Sequence, residues 1–308
     1  MKRSDPAVAV RALKRFQQAL NPGELWRRWQ ALDNRALLTL LAALLALYLM
    51  ALSLLTQPAD EAINALLLMG GAMLVFPELP EGWQPRPGRI GRWLAVALLV
   101  VVFWRGQRMV SFDAVSSLLL PLAGLALGLL AVPLNQLRRF GLPLIVLGFL
   151  PVMRALGGGL TPIGPLTVAT AWLSEQFLAL CGFTAMQEGP FLRLPGGAVE
   201  VAGPCSGLNM LLQLLVVAVI FALAFPMRHR WQNGLMIVTA PLIAMLTNAM
   251  RIALLAWINA SAMSNKTWWF EFFHTHWGSL VFAGIAMQVF VWLYVYWLAR
   301  QVAALGSR

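Results

Sequence analysis

The sequence predicts an all-α polytopic membrane protein of about eight transmembrane helices, with a small extracytoplasmic β-hairpin before one of them. Three observations lead there. Hydrophobic residues make up 60% of the chain and charged residues only 11%, outside the range of soluble domains. The apolar residues fall into runs of membrane-spanning length. The arginines stand at the ends of those runs, as positive-inside topology signals do. Their scatter also turns the net charge of +11 away from nucleic-acid binding, which gathers basic residues into one stripe. Two cysteines, Cys181 and Cys205, allow at most one disulfide and no Cys-x-x-Cys pair, so no disulfide framework is implied.

Residues 1–33 are basic, and Leu13, Phe16 and Leu20, then Leu25, Trp26, Trp29 and Leu32, recur at helical spacing around Asn21-Pro22-Gly23. They read as an amphipathic segment on the cytoplasmic leaflet ahead of an uncleaved anchor. Residues 34–159 form the N-terminal set of spans. Ala36–Thr56 is the first, and Ala62–Phe76 a short return. Trp93–Trp104 reaches across only if Ile90, Arg92 and Arg105 are counted in. Ala114–Leu134 and Phe140–Met153 flank an inside turn at Arg138 and Arg139.

Residues 160–308 are organised differently. After Gly157-Gly158-Gly159 comes an amphipathic stretch, Leu166–Leu180, carrying Glu175. Two short alternating segments within Gly189–Val201, around Pro195-Gly196-Gly197, read as a β-hairpin, and a segment this polar belongs outside the hydrocarbon. The basic turn from Pro226 to Arg230 separates an inward span, Ser206–Phe225, from an outward one, Gly234–Ile258. Asn259–Trp277 is an aromatic-rich outer loop, and Gly278–Leu298 the last span. Both termini of this multi-pass protein are then cytoplasmic.

This topology sorts the unusual residues. Gly203 and Pro204 start a helix with Cys205 in its first turn, where the helix dipole favours the reactive thiolate; a small buried cysteine is the plain alternative. Arg251 lies 17 residues after Gly234, about 25 Å along a helix, close to the same face. A charge within an apolar run is either paired and functional or snorkels to the headgroups. Asn248, one turn earlier, is placed to orient the guanidinium or a ligand. His274 and His276 precede the last span on that side. With Glu271 and Cys205 they lack tight zinc-ligand spacing, so neither metal nor cofactor is expected. A thiol with an imidazole base fits acyl transfer, with Arg251 as oxyanion or carboxylate partner. Glu200 reads either as an exposed strand carboxylate or as a substrate-binding or orienting group, and Cys181 as a packing residue.

Three blocks recur in a known order: Val199-Glu200-Val201-Ala202-Gly203-Pro204-Cys205-Ser206-Gly207-Leu208, then Asn248-Ala249-Met250-Arg251-Ile252, then Phe272-Phe273-His274 with Gly278 four residues on. They resemble the signature blocks of the exosortase/archaeosortase family across roughly residues 160–298. The resemblance implies a membrane cysteine transpeptidase that forms a thioacyl intermediate. Its partners would be exported proteins with a C-terminal sorting signal of the PEP-CTERM kind, in which a Pro-Glu-Pro-type motif precedes a transmembrane helix and a basic tail. Such enzymes often occur in strains that make exopolysaccharide. Carried over by position, Cys205 is the nucleophile, Arg251 the oxyanion or substrate arginine, and His274 the acid/base. This chain has Asn209 where common members carry an arginine, and His276 within the third block, so either histidine stays open as the acid/base.

Two rival classes are carried along. A rhomboid-like serine protease would use Ser206 and His276, although Pro204 breaks the Gly-x-Ser-Gly pattern. A transporter or polysaccharide-assembly protein would bind an anion at Arg251, but would call for more charge at the membrane midplane than the sequence supplies.

Overall fold

The computed structural model describes residues 34–56, 59–80, 82–109, 113–157 and 162–306. The amphipathic segment 1–33 lies outside them. The N-terminal half comprises α1 (Asn34–Thr56), α2 (Ala59–Leu74), α3 (Arg89–Gln107), α4 (Leu119–Ala131), α5 (Gly141–Leu147) and α6 (Phe149–Ala155). The C-terminal half begins with α7 (Ile163–Leu180) and a sheet of β1 (Met186–Glu188), β2 (Phe191–Leu194) and β3 (Gly197–Glu200). It continues through α8 (Leu208–Ala224), α9 (Arg230–Ala260), α10 (Lys266–His274) and α11 (His276–Gly306).

The eight expected spans all emerge as helix, but not all at spanning length. Six stretches are long and apolar enough to cross a membrane: 34–55, 89–107, 134–155, 203–224, 230–260 and 277–301. Helix α3 reaches its length by taking in Ile90, Arg92 and Arg105. Two apolar helices, 62–74 and 116–131, are shorter. The second of these stops because Pro133 is extended and offers no N–H to prolong the ladder. The first half of the 134–155 stretch, Leu134–Phe140, is a tighter 3₁₀ helix. The protein is a polytopic, all-α membrane protein.

Three expectations in the polar region need correcting. The Leu166–Leu180 stretch does not stay outside the bundle: α7 lies along α9, with Thr167, Thr170, Ala171, Ser174 and Leu178 buried. The hairpin is a three-stranded antiparallel meander, in which Leu192 pairs with Gln187 on one side and Val199 on the other. A turn at Gly189, φ +60°, adds the strand that the alternation around Pro195-Gly196-Gly197 does not reveal. The outer aromatic loop contains the helix α10, on which Trp268 stacks with Phe272, and Trp269 with Phe273.

Helix α8 joins the halves. On one side Leu208, Leu212, Val216 and Ile220 enter a core with α1, α2 and α4. On the other Met210, Leu214 and Val217 pack with Met236 and Ala240 of α9 and Phe282, Phe290 and Tyr294 of α11. Gln213 donates to Asn64 at 2.8 Å, and Gly71 of α2 faces Ile220, so α2 and α8 run parallel. Asn64 is buried, and this amide pair answers the demand that apolar surroundings place on buried polar groups. At the C-terminal end of α8 the Arg228 N–H donates to Gln301. Arg35, Arg86, Arg139, Arg228 and Arg300 thus collect at the end of the bundle remote from Cys205.

Candidate active site

The Cys205 segment departs from its expected form. Gly203–Cys205 is a 3₁₀ turn, with the Cys205 N–H donating to Ala202 O at 2.9 Å and the Ser206 N–H to Gly203 O at 3.1 Å. Helix α8 begins only at Leu208. Cys205 is therefore not in the first helical turn but in the bend before it. The chain turns into the helix at Gly207, whose φ of +83° L-residues with side chains rarely adopt. A Cβ there would also lie 2.6 Å from Asn248 Nδ2. Gly203, by contrast, has a negative φ and room for a methyl, its nearest neighbour being Ile163 at 3.7 Å. The need for glycine is four residues later.

Polar cross-ties hold this bend. Asn248, fully buried, donates through Nδ2 to Cys205 O at 3.0 Å. Thr170 donates to Ser206 O at 3.0 Å, and Ser174 to Ala249 O at 3.0 Å. Helices α7, α8 and α9 are thereby laced together around the cysteine. Thr170 and Ser174, four apart on one helical face, are the legible signal for this in the sequence, since small hydroxyl residues in apolar helices mark close helix contacts. Asn248 Oδ1 is buried without a hydrogen-bond partner, a costly arrangement that singles the group out.

Arg251 resolves the choice between snorkelling and a paired role. It is only 4% exposed, so it does not reach for the headgroups. Its Nε donates to Phe273 O at 3.2 Å and Nη1 to Ser279 Oγ at 3.4 Å, tying α9 to the end of α10 and the start of α11. Gly278 permits this junction, because any side chain there would run into the Phe273 backbone. Cys205 itself is buried with Ala171, Val201, Ile252 and Leu255, under Phe270 and Phe273.

The remaining residues are placed unequally. His274, the last residue of α10, is exposed and stacks on Phe270, ring centroids 5.4 Å apart and 15° from parallel. One aromatic layer thus separates its imidazole from the pocket of Cys205. His276 opens α11, and its side chain lies outside those described. Glu200 pairs across the sheet with Phe191 and is exposed. Cys181 is exposed at the end of α7, which corrects its reading as a packing residue. Among the described residues no three histidine, cysteine or carboxylate side chains gather as a metal site would require.

No curated protein and no solved structure matches the chain. The family profile described as transmembrane exosortase matches residues 57–291, which takes in the site and also the helices from α2 onward, beyond the 160–298 stretch that carries the signature blocks. The chain belongs to the transmembrane exosortase family.

Proposed function

We propose that the protein is a membrane-embedded cysteine protease and transpeptidase that cleaves the C-terminal sorting signal of exported proteins through a thioacyl intermediate. The observation that carries this reading is geometric: Asn248 and the buried Arg251, one turn apart on α9, bind respectively the Cys205 carbonyl and the Phe273 carbonyl of the segment that bears His274, and Phe273 packs over Cys205. Residues 160–308 are the catalytic region. In the first step an imidazole takes the Cys205 proton and the sulfur attacks the scissile carbonyl. The electron pair moves to the carbonyl oxygen, whose negative charge faces the Arg251 guanidinium. The imidazolium then protonates the departing amine as the C–N bond breaks, leaving a thioester on Cys205. An incoming nucleophile, an acceptor amine or hydroxyl or else water, resolves it and frees the thiol.

His274 is the acid/base in this scheme. It turns from its stack on Phe270 toward the sulfur, a rotamer change of the kind exposed side chains make in picoseconds to nanoseconds. Asn248 keeps the Cys205 bend in place, and its unpaired Oδ1 is available to accept a substrate amide N–H. A lipid-facing groove of about 400 Å³, lined by Pro162, Pro165, Leu166, Leu208, Leu211 and Leu212, begins three residues from Cys205 and receives the apolar helix of the sorting signal. Ser206, the nucleophile of the rhomboid-like alternative, is occupied instead: it is buried, and its Oγ accepts the Leu208 N–H at 3.3 Å.

The arginine-rich end of the bundle then faces the cytoplasm and Cys205 the extracytoplasmic side of an inner membrane, with both termini inside. The test combines two measurements. Co-expression with tailed exported proteins should yield a substrate mass shift that Cys205→Ala abolishes. In a Cys181→Ser background, needed because Cys181 is itself exposed, a membrane-impermeant maleimide should label Cys205 from outside and block processing. Labelling only from the cytoplasmic side would reject the topology, and undiminished processing by Cys205→Ala would reject the chemistry.

A further inference from the structure

A large cavity lies far from Cys205, in the N-terminal half. It encloses about 550 Å³ between α1, α2, α4 and α5, within the roughly 300–1,000 Å³ of small-molecule sites. Its walls are apolar, including Leu45, Met69, Phe76, Leu120 and Leu147, and among the described residues lining it Arg35 is the only charge. A second recess of about 320 Å³ shares Trp83 and Ala131 with the first and contains Arg86 and Arg139. An apolar chamber and a basic recess thus lie side by side, with Trp83 and Ala131 as their common wall.

The three arginines make no ion pair among the described residues, and neither cavity is lined by an Asp or Glu there. The parallel run of α2 and α8, with Asn64 level with Gln213 and Gly71 with Ile220, puts this recess at the end of the bundle opposite Cys205. It is therefore no part of the catalytic bend.

We propose that this paired cavity is a binding site for one anionic membrane phospholipid, with an acyl chain in the apolar chamber and the phosphate among Arg35, Arg86 and Arg139. Charge decides between this occupant and the chain's own residues 1–33. That segment carries Lys2, Arg3, Arg11, Lys14, Arg15, Arg27 and Arg28 against Asp5, Glu24 and Asp33, so the basic recess repels it, whereas a phosphate complements the recess. Guanidinium groups also suit phosphate oxygens by their planar, forked donors. An ordinary annular lipid would be held by the apolar surface alone, with no preference for head charge. The arginines supply that preference, at about fivefold in affinity for each basic residue near a lipid phosphate.

The test uses the full chain, purified from membranes and exchanged into nanodiscs of phosphatidylcholine with a minor fraction of phosphatidylglycerol. Native mass spectrometry after ejection should find one phosphatidylglycerol retained per chain and no phosphatidylcholine. The triple variant Arg35→Gln/Arg86→Gln/Arg139→Gln should weaken retention about a hundredfold. These side chains are exposed, so the fold is not at stake. Ala42→Trp, which fills the chamber and leaves the arginines in place, should also expel the lipid. Added inorganic phosphate at millimolar concentration should not displace it.

Four results would overturn the proposal. Equal retention of both lipids, or an unaffected triple variant, would mean annular binding. Displacement by phosphate would mean a bare anion site. A full-length chain that retains no lipid would mean the chamber is filled by the protein itself.

Discussion

Helix α1 buries 17% of its spanning stretch, whereas the stretch through Cys205 and α8 buries 50% and α9 buries 44%. The two halves are built from similar apolar residues and held by different means. In the N-terminal half alanine, leucine and glycine faces meet around a cavity, and polar ties between helices are fewer: the Tyr48 hydroxyl of α1 donates to Phe103 O of α3 at 3.4 Å, and Asn64 of α2 accepts from Gln213 of α8. In the C-terminal half Thr170, Ser174, Asn248 and Arg251 cross from helix to helix. Lipid tails are as apolar as leucine, so apolar contact alone gives helices in a bilayer little reason to prefer one arrangement. Directional polar contacts do. Around the Cys205 bend the protein uses several of them, and in the N-terminal half it uses fewer.

The largest expected effect is at the sulfur. Cys205→Ala should reduce substrate processing to background, a loss on the order of 10⁶ in rate if the nucleophile behaves as in other acyl-transfer enzymes. Ser206→Ala should retain processing and lose only about 1 kcal/mol of stability, as a lost cap does. A mass-resolved cleavage assay reads the first and thermal unfolding in detergent the second. The reverse pattern would move the chemistry from Cys205 to Ser206. Next comes Arg251. Its replacement by alanine should cost about 10² to 10³ in rate, and Arg251→Lys should fall between, because an ammonium keeps the charge but cannot span both Phe273 O and Ser279 Oγ. If Arg251→Lys equals the parent, the guanidinium contributes charge alone and the tie to α10 is incidental.

A smaller effect separates the two glycines of the bend. Gly207→Ala should destabilise by at least about 1–2 kcal/mol, the cost of a left-handed conformation for an L-residue, and should displace Asn248 and slow processing. Gly203→Ala should be neutral or stabilise by up to about 1 kcal/mol. In the N-terminal half Gly70→Ala, with nothing within 4 Å of the added carbon, should behave like Gly203→Ala. Comparing the three unfolding midpoints tests whether intolerance is a property of glycine in this protein or of the laced bend.

Much of this was legible from residue order. A buried arginine 17 residues into a span whose start is marked by a basic turn must sit near the far face, and Cys205 and the histidines fall there by the same arithmetic. Periodicity and charge placed the helices because the bilayer fixes their length. What the sequence hid depends on backbone torsions and contacts between distant segments. Nothing local to Cys-Ser-Gly says that Gly207, rather than Gly203, takes the left-handed turn, since that is decided by Asn248 some forty residues away. The helix α10 is masked by its aromatic density, which reads equally well as an interfacial loop. Helix α7 looked like a surface segment because three of its five buried residues are Thr167, Thr170 and Ser174, polar in composition yet satisfied by backbone carbonyls.

The smallest effect tests whether the N-terminal half also has a charged fastening, at its edge. Asp113, in the turn between α3 and α4, accepts from the Ser116 hydroxyl at 2.6 Å and the Ser116 N–H at 2.8 Å, and pairs with Arg105. The Ser116 contacts, with Arg105 adding to them, hold its carboxyl below the ordinary carboxylate range. A depressed value in the folded state means the ionised form is favoured by folding. Its contribution is therefore fully present above the unfolded carboxylate value of about 3.9 and is lost as pH falls through the lower folded value. The side chain is nearly half exposed, so solvent screens the pair and the effect is slight. Lowering the pH from 6 to 3 should depress the unfolding midpoint of the parent a little more than that of Asp113→Asn, while the acid response of Gly203→Ala should follow the parent. An Asp113→Asn variant with the parent's full acid response would place the acid-sensitive contacts elsewhere, and would leave the first half of the bundle fastened by uncharged ties, Tyr48 to Phe103 O and Asn64 to Gln213.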